Sequence, residues 1–364
     1  MLLNNRRQPL SKLERAKRFG PYPYYGAAGQ LDSIDDFAFD GLHLLIGEDG
    51  TVVESSGCPM RQLVDGRFWV SNHAHVMRGA EESDTRFLYY ALGSVDVAPH
   101  VTGSAQPKLS LGNLKKIKIP WPEISVRRAI TEVLGALDDK IDSKRRVIEI
   151  ANQYLSTCFH QFVSSPTTQS GRIGDLAANL KLKIGEVAEK AVVMSAVASS
   201  ELVASDDFFS KRVYSKDIGK YLKVPRWAFA YNPSRINIGS IGLNSYDVIG
   251  AVSPVYVVAQ SSSEVVARWL ELALKTKAVR EQIVAFSSGS VRQVLRYEDF
   301  ASIELPIPES EAIEDFGVRV LPVYKLIRQA HVEILALSSL RDVLMPELFS
   351  GRLLTPAVSD PVDA

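Results

Sequence analysis

The stretch ITEVLGALDDKIDSKRRVIEIANQYLSTCFHQF, residues 130–162, decides the fold. Alternating steps of four and three residues from its first position reach ten positions, of which only Lys144 is polar. Apolar residues at this spacing form one face of a long helix that pairs with another helix. The ten positions are Ile130, Leu134, Leu137, Ile141, Lys144, Ile148, Ala151, Leu155, Cys158 and Phe162.

A second stretch, FGVRVLPVYKLIRQAHVEILALSSLRDVLMPEL, residues 316–348, repeats the pattern in the same frame. It starts 186 residues after the first (316 − 130 = 186), and again one position, Arg341, is polar. Two long amphipathic helices are therefore predicted. The second seam consists of Phe316, Val320, Val323, Ile327, Ala330, Ile334, Leu337, Arg341, Leu344 and Leu348.

The offset of 186 residues continues upstream of both helices. Each helix follows a segment of the form apolar-Pro-x-Pro-Glu, which we interpret as the end of a strand. A repeat of this length indicates a tandem duplication rather than a short-period solenoid, so the chain plan is globular, helix, globular, helix. Matching residues at this offset are Gly103 and Gly289, Ser104 and Ser290, Leu109 and Leu295, Ile117 and Ile303, Pro120 and Pro306, and Pro122 and Pro308.

Length and composition fit two globular domains. The chain has 364 residues, 23% of them charged, and 42 basic against 42 acidic residues give a net charge of zero. A neutral total requires any basic surface for a polyanion to be segregated locally. Two cysteines argue against a disulfide framework, no apolar run reaches membrane-spanning length, and no signal peptide precedes the first charged residues. These features favour a cytoplasmic protein.

A basic segment opens the chain. Six arginines and lysines precede Pro21, among them Arg6, Arg7 and Lys12, and such a cluster can neutralise several phosphates. The alternative is a solvated surface loop. The aromatic, glycine-rich segment that follows contains Tyr25, which offers a ring for stacking.

Residues 68–76 are predicted as one strand whose alternation places Asn72 on one face and both His73 and His75 on the other. A His-x-His pair on a strand face can bind a metal ion. No third ligand is marked nearby, so hydrogen bonding or packing is the favoured interpretation over a metal site. Asn72 and His73 are also candidate DNA contacts. The loop 102–108, with Gln106 and Lys108, then precedes a predicted exit strand at 114–119.

The second globular domain is predicted to open with a strand-like segment at 173–176. The offset puts its counterpart before residue 1 (173 − 186 = −13), so the first domain is predicted to lack its opening strand.

Polar side chains of the second domain cluster after a basic run and around an Asn-Pro turn. Asn232, Arg235 and Asn237 are residue types that pair with base edges. Equally, they are turn residues that satisfy local backbone groups. Residues 287–293 take the place of the loop at 102–108. The candidates from this reasoning are Arg212, Lys216, Asn232, Arg235, Asn237, Arg292 and Gln293.

Short motifs in a fixed order carry a family resemblance. They are Tyr24-Tyr25-Gly26-Ala27, Leu45-Ile46-Gly47-Glu48-Asp49-Gly50, Asn72-His73-Ala74-His75-Val76, Gln106-Pro107-Lys108-Leu109, Tyr231-Asn232-Pro233, Ser253-Pro254-Val255-Tyr256 and Met345-Pro346-Glu347-Leu348-Phe349-Ser350-Gly351. With the duplication and the two helices, the chain resembles the specificity (S) subunit of type I restriction-modification systems over nearly its whole length.

This resemblance implies an α+β fold. Two similar mixed α/β target-recognition domains would alternate with two long helices that pair as an antiparallel coiled coil. The expected segments are a first recognition domain at 1–122, a spacer helix at 123–165, a second recognition domain at 166–308, a second spacer helix at 309–352 and a disordered tail at 353–364.

The resemblance also implies a function. Each recognition domain would read one half of a split double-stranded DNA sequence, and the helices would fix the gap between the halves and dock the methyltransferase subunits. A restriction and translocase subunit would join through the complex. The contacts implied by the resemblance are Arg6, Arg7, Tyr25, Gln106 and Lys108 in the first domain, and Tyr231, Asn232, Arg235, Arg292 and Gln293 in the second.

Intrinsic catalysis is not expected. Asn232-Pro233-Ser234-Arg235 lacks the second proline and the aromatic residue of the adenine-methyltransferase motif, and no Gly-Lys-Ser/Thr phosphate loop occurs. No cofactor and no metal ion are predicted. Two alternatives stay open: a specificity subunit of another restriction architecture, and a coiled-coil scaffold or ligand-binding protein that does not bind DNA.

Overall fold

The computed structural model describes residues 1–205, 218–287 and 294–353, with the backbone alone at 186 and 187. It divides into two compact units. Met1–Arg146 together with Ala330–Ala364 form the first unit, and Val147–Gln329 form the second. The tail that we predict to be disordered lies, from residue 354, outside the described residues.

The first unit contains two three-stranded sheets. In chain order its helices and strands are α1 (Lys12–Lys17), β1 (Phe19–Tyr25), β2 (Gln30–Ile34), β3 (His43–Gly47), β4 (Arg61–Val64), β5 (Trp69–Val70), β6 (Ala74–Met77), α2 (Glu82–Leu92), α3 (Leu111–Leu114) and the start of α4 (Ile124–Val163). The strand orders are β2-β1-β5 and β4-β3-β6. Strand β3 is buried at every position because α2 covers one face of its sheet and β1 with β5 lie against the other side of the core.

The second unit repeats this plan with extra strands. After α4 come β7 (Thr168–Arg172), α5 (Ile173–Leu176), β8 (Ala177–Asn179), β9 (Val192–Val197), β10 (Glu201–Ala204), β11 (Leu222–Val224), β12 (Ala228–Tyr231), β13 (Ile241–Leu243), β14 (Gly250–Val252), β15 (Val257–Ser261), α6 (Glu264–Ala273), α7 (Lys277–Ser287), α8 (Tyr297–Ala301), β16 (Glu304–Pro308) and α9 (Ser310–Phe349). The strand orders are β10-β9-β14-β11, β13-β12-β15-β8 and β16-β7.

The two units share their sheet topology. The antiparallel triple β4-β3-β6 corresponds to β13-β12-β15, and the parallel contact between β1 and β5 corresponds to that between β9 and β14. The predicted fold of two similar mixed domains is therefore confirmed.

Two sequence-based predictions about strands were wrong. Residues 173–176 form the single helical turn α5, and the strand of this region precedes it as β7, which pairs antiparallel with β16. In the first unit, Leu114 ends the short helix α3, and residues 118–122, the counterpart of β16 at the 186-residue offset, do not form a strand. Proline-rich segments such as these form strands only where a partner strand supplies the backbone hydrogen bonds.

The long helices have the predicted period and the predicted offset. Helices α4 and α9 both contain 40 residues, and both ends differ by 186 (310 − 124 and 349 − 163). Every position of both heptad seams is buried or partly buried. In the first unit Ile130 of α4 packs in one cluster with Leu348 of α9, and Lys144 pairs with Glu333, so the helices run antiparallel there.

In the second unit the remaining halves of α4 and α9 join the main core. Leu155, Cys158 and Phe159 of α4 pack with Phe316 and Val320 of α9. Among the described residues, no helix combines the length and the apolar character that crossing a bilayer requires.

Candidate nucleic-acid interface

Short segments that carry the sequence motifs meet at the turn after β3 in the first unit. The amide of Ser71 donates to the carbonyl of Tyr25 at 2.9 Å, and the amide of Glu48 donates to the carbonyl of His73 at 2.8 Å. The amide of Leu109 in turn donates to the carbonyl of Glu48 at 2.9 Å. The turn 48–50 therefore bonds directly to the segments around residues 73 and 109, and the segment around residue 25 joins them through Ser71.

Gly47 permits the close approach of the first segment to this turn. A Cβ atom at Gly47 would lie 2.9 Å from the carbonyl oxygen of Thr51 and 3.2 Å from that of Ala27. Both contacts are with backbone atoms, which cannot rotate away. A side chain here would push the aromatic, glycine-rich loop away from the turn.

The loop 102–108 is a tight hairpin fixed over the same turn. Two backbone hydrogen bonds of 2.9 and 2.7 Å join its ends. Gly103 has φ +87°, and a Cβ atom there would lie 2.4 Å from the carbonyl oxygen of Gln106. The amide of Gly50 donates to the carbonyl of Pro107 at 2.9 Å. The hairpin thus presents the exposed side chain of Gln106 from a fixed backbone.

A charged cluster lies beneath the hairpin. The Glu48 carboxylate accepts from Nη1 of Arg7 at 2.6 Å and lies 3.4 Å from Nδ1 of His75. The Nζ of Lys108 lies 3.0 Å from the Asp49 carboxylate and 3.7 Å from that of Glu48. The hydrogen bond to Asp49 raises the pKa of Lys108. Two carboxylates are therefore balanced by two cations.

Arg7 is a structural member of this cluster, which argues against the DNA contact predicted for it. Besides Glu48, its guanidinium donates to the backbone carbonyls of Asn4, Asn72 and Ala74. Only 14% of its side chain is exposed. Its donors are committed within the protein.

His75 is buried and neutral, whereas His73 is exposed. The prediction that both histidines lie on one strand face is therefore wrong. The Nε2 of His75 donates to the carbonyl of Leu109 at 2.7 Å, and its Nδ1 accepts from the side-chain amide (Nδ2) of Asn4 at 2.9 Å. Burial lowers the pKa of His75. His73 is instead about half exposed, with its Nδ1 3.6 Å from the Asp49 carboxylate, because residues 71–73 form a turn between β5 and β6. Within the described ranges, no group of three or more His, Cys, Asp or Glu could hold a metal ion.

The other candidates of the first unit differ in exposure. Asn72, His73, Gln106 and Lys108 are exposed around the turn. Tyr25 is half-buried, with its ring edge-on to Phe68 at 5.9 Å. Two basic candidates, Arg6 and Lys12, are exposed. The guanidinium of Arg6 donates to the carbonyl of Ala38, and Lys12 lies at the start of α1.

Tyr231 of the second unit is not available to DNA. It lies on the central strand β12, where all four residues are buried, and its side chain is 0% exposed. Its ring packs 4.8 Å from that of Phe300, and burial raises the pKa of its hydroxyl. This complete burial argues against the DNA contact predicted at Tyr231.

Asn232 forms the local turn that was the alternative interpretation. Its side-chain oxygen accepts from the amide of Ser234 at 3.1 Å, and its own amide donates to the carbonyl of Ser240. Arg235 and Asn237 are exposed beside it, at a short 3-10 helix.

The turn after β12 takes the place of the turn after β3. The carbonyl of Pro233 accepts from the amide of Leu295 at 3.0 Å, as the carbonyl of Glu48 accepts from that of Leu109. Both leucines are fully buried and match at the 186-residue offset. Four predicted contacts lie outside the described residues: Arg212, Lys216, Arg292 and Gln293.

Sequence reasoning missed the supporting residues Asn4, Glu48 and Asp49. The motif around Glu48 was used only as one of the segments that carry the resemblance. Its two consecutive carboxylates beside a basic segment were the available signal, since partly buried acids need cationic partners.

Sequence comparison finds relatives of the first part of this chain. Residues 2–152 match the family described as type I restriction modification DNA specificity domain. A type I restriction enzyme specificity subunit of Haemophilus influenzae is 36% identical over 137 residues, which are 37% of this chain and 34% of that protein. The specificity subunit of the type I enzyme EcoprrI of Escherichia coli is 28% identical over 146 residues, 40% of this chain and 34% of that protein. The chain thus spans about a third of the length of these two relatives.

A solved structure extends the likeness in fold. The crystal structure of the type I restriction-modification system S subunit from M. genitalium matches with a TM-score of 0.65 and 15% sequence identity, and the match covers 94% of this chain and 92% of that one. At this identity the match establishes the fold. The predicted resemblance to specificity subunits is confirmed.

Proposed function

Because this chain is similar to type I specificity subunits in sequence at its start and in fold along most of its length, we propose that it is the DNA-recognition subunit of a type I restriction-modification complex. One observation carries the proposal: the motif segments of the first unit converge on the turn after β3, and the second unit has an equivalent turn after β12. The chain therefore holds two recognition surfaces of common origin, in domains that we place at 1–122 and 166–308.

The exposed residues around the first turn suit base and phosphate contacts. Gln106 stands on a rigid hairpin, and a Gln amide can pair with adenine through two hydrogen bonds. Asn72 and His73 lie exposed beside the turn, and Arg6 adds an exposed cation for phosphate. Arg7 and Lys108 neutralise the carboxylates of Glu48 and Asp49. This surface therefore does not repel the phosphate backbone of DNA.

The second surface differs in chemistry. At the turn after β12, Arg235 and Asn237 are exposed. The turn after β3 in the first unit instead carries the ion-paired carboxylates of Glu48 and Asp49. Two surfaces of unlike chemistry read two unlike half-sites, so the expected target is bipartite and asymmetric.

The long helices supply a surface for modification subunits. In the first unit, Val332, Leu335 and Val343 of α9 are exposed on its outer side. At the 186-residue offset, α4 has Arg146, Glu149 and Thr157 instead. Exposed apolar residues of this kind mark protein contacts, which supports docking of a methyltransferase subunit on α9, with a restriction subunit joining through it. The chain itself carries out no catalysis in this proposal, and methylation and cleavage belong to its partners.

Co-expression with the modification subunit tests the proposal. Methylated positions are mapped across the genome of the host. A bipartite motif with a fixed gap is expected, and Gln106→Ala should relax one half only. A continuous motif, or DNA binding that is insensitive to salt, would favour a scaffold or a different restriction architecture.

A further inference from the structure

A polar network interrupts the apolar seam in the first unit. The two oxygens of the Asp138 carboxylate on α4 accept from different elements: Nη1 of Arg341 on α9 at 2.8 Å and the hydroxyl of Tyr90 on α2 at 2.7 Å. One side chain therefore joins both long helices to the helix of the globular domain. A second ion pair, Lys144 with Glu333 at 2.5 Å, lies two turns along the same seam.

The two ion pairs contribute too little to the free energy of folding to explain why they occur in the seam. The side chains of Asp138 and Arg341 are 25% and 29% exposed, and those of Lys144 and Glu333 are 36% and 34% exposed. Partly solvated ion pairs contribute little, because water screens the attraction and two long side chains lose freedom. Apolar residues at these positions would pack at least as well.

The second unit shows that the fold does not require the network. At the 186-residue offset, Asp138 corresponds to Tyr324 and Arg341 to Leu155. Tyr324 packs against the main core of the second unit, with the guanidinium of Arg268 3.9 Å from its ring centre, and Leu155 is buried in that core. The same places in the repeat are thus filled by apolar packing and by a tyrosine beneath Arg268, whose ion-pair partner Glu271 lies on the same helix as Arg268.

An apolar seam alone leaves the register of two helices ambiguous. A shift of one heptad moves a helix by about 10 Å and again places apolar residues opposite each other. A shifted Arg341 would face Thr131 or Arg145, seven residues from Asp138 in either direction. Neither can accept its charge as Asp138 does.

The second ion pair opposes the same shift. Displacement by seven residues would bring Lys144 opposite Leu326 or Leu340 instead of Glu333. Both shifted registers therefore lose two ion pairs and place a lysine against an apolar side chain. A single polar position is known to select one register of a coiled coil in this way.

We propose that Asp138 sets the register of the two long helices in the first unit and fixes the globular domain on them. Arg341 and Tyr90 are the positioning partners through which it acts. The role goes beyond the proposed function, since it concerns a unique arrangement rather than contact with DNA.

The test is a distance measurement between spin labels on the full chain. Labels at Glu132→Cys and Ser339→Cys report the register of α4 and α9, and both sites are exposed. The natural cysteines are buried. The Asp138→Leu, Arg341→Leu double variant is expected to show a second distance population, which corresponds to a slip of about 10 Å along the helix axis.

A matched control removes a similar ion pair outside the seam. Asp142 and Arg145 lie 2.9 Å apart on the exposed side of α4. Asp142→Asn with Arg145→Gln should keep one narrow distance. A single unshifted distance in the Leu double variant overturns the proposal, whereas a lowered melting temperature with that single distance assigns the network a purely structural role.

A second readout rests on the proposed function. In complex with the modification subunit, the Leu double variant should methylate sites with more than one gap length, with both half-sites unchanged. A wild-type chain that yields no bipartite motif refutes the proposed function and leaves the spin-label result valid.

Discussion

Replacing Glu48 by Ala tests the charged cluster beneath the recognition hairpin. The carboxylate is the ion-pair partner of Arg7, and both side chains are 14% exposed. After the substitution, Arg7 keeps three backbone carbonyls as acceptors but has no counter-charge. The guanidinium then stays largely buried without its ion pair.

The magnitude follows from this burial. Removing one partner of a buried ion pair costs about 3 kcal/mol, because the remaining charge cannot be solvated. In a unit of this size each kcal/mol lowers the melting temperature by about 2–4 °C, so a fall of about 6–12 °C is expected for the first unit. Faster hydrogen exchange at residues 102–109 should accompany it, since the hairpin rests on this turn.

Calorimetry and hydrogen exchange measured region by region give the two readouts. The control is Asp40→Asn, which removes an ion pair of 3.3 Å with Arg67 in which both side chains are more than half exposed. That change should shift the melting temperature by less than about 4 °C, because an exposed pair contributes about 0–1 kcal/mol. Equal effects of the two substitutions would refute the structural role assigned to Glu48.

Three further predictions concern other residues of the two units. Because burial lowers the pKa of His75 from 6.5, the unfolded chain binds a proton that the folded unit does not. Stability of the first unit should be full above about pH 6.5 and decrease as the pH falls below it, and His75→Gln should flatten this profile in melting curves measured against pH. Tyr231→Phe should leave DNA affinity unchanged and stability unchanged or slightly higher, since the buried hydroxyl has no hydrogen-bond partner among the described residues. Gly103→Ala should destabilise the hairpin by about 1–3 kcal/mol and weaken recognition of one half-site only, which methylation mapping would show, because φ is +87° and the added Cβ atom meets the Gln106 carbonyl.

The long helices could be predicted from the sequence almost completely. A seam of one polar and nine apolar residues depends only on local spacing, and the structure buries or partly buries every such position. The polar exceptions, Lys144 and Arg341, could be located but not explained. Their partners Glu333 and Asp138 lie on the other helix, and no local pattern connects them.

The interface was predicted less well because its residues act through distant partners. Arg7 belongs to a basic run that looks accessible, but Glu48, which neutralises it, lies 41 residues further on. Tyr231 is the last residue of an apolar strand, and periodicity does not distinguish a central strand from an edge strand. The strand 68–76 is interrupted by a turn at 71–73, which separates His73 from His75.

The division of each long helix between two units affects how the chain folds during synthesis. Leu134 is buried in a cluster that also contains Leu348, a residue made 214 positions later (348 − 134 = 214). At about 5–20 residues per second, the ribosome needs roughly 10–40 seconds to supply it. During that interval the newly made first domain carries an uncovered apolar stripe along α4, so the domain that emerges first from the ribosome is among the last to be completed.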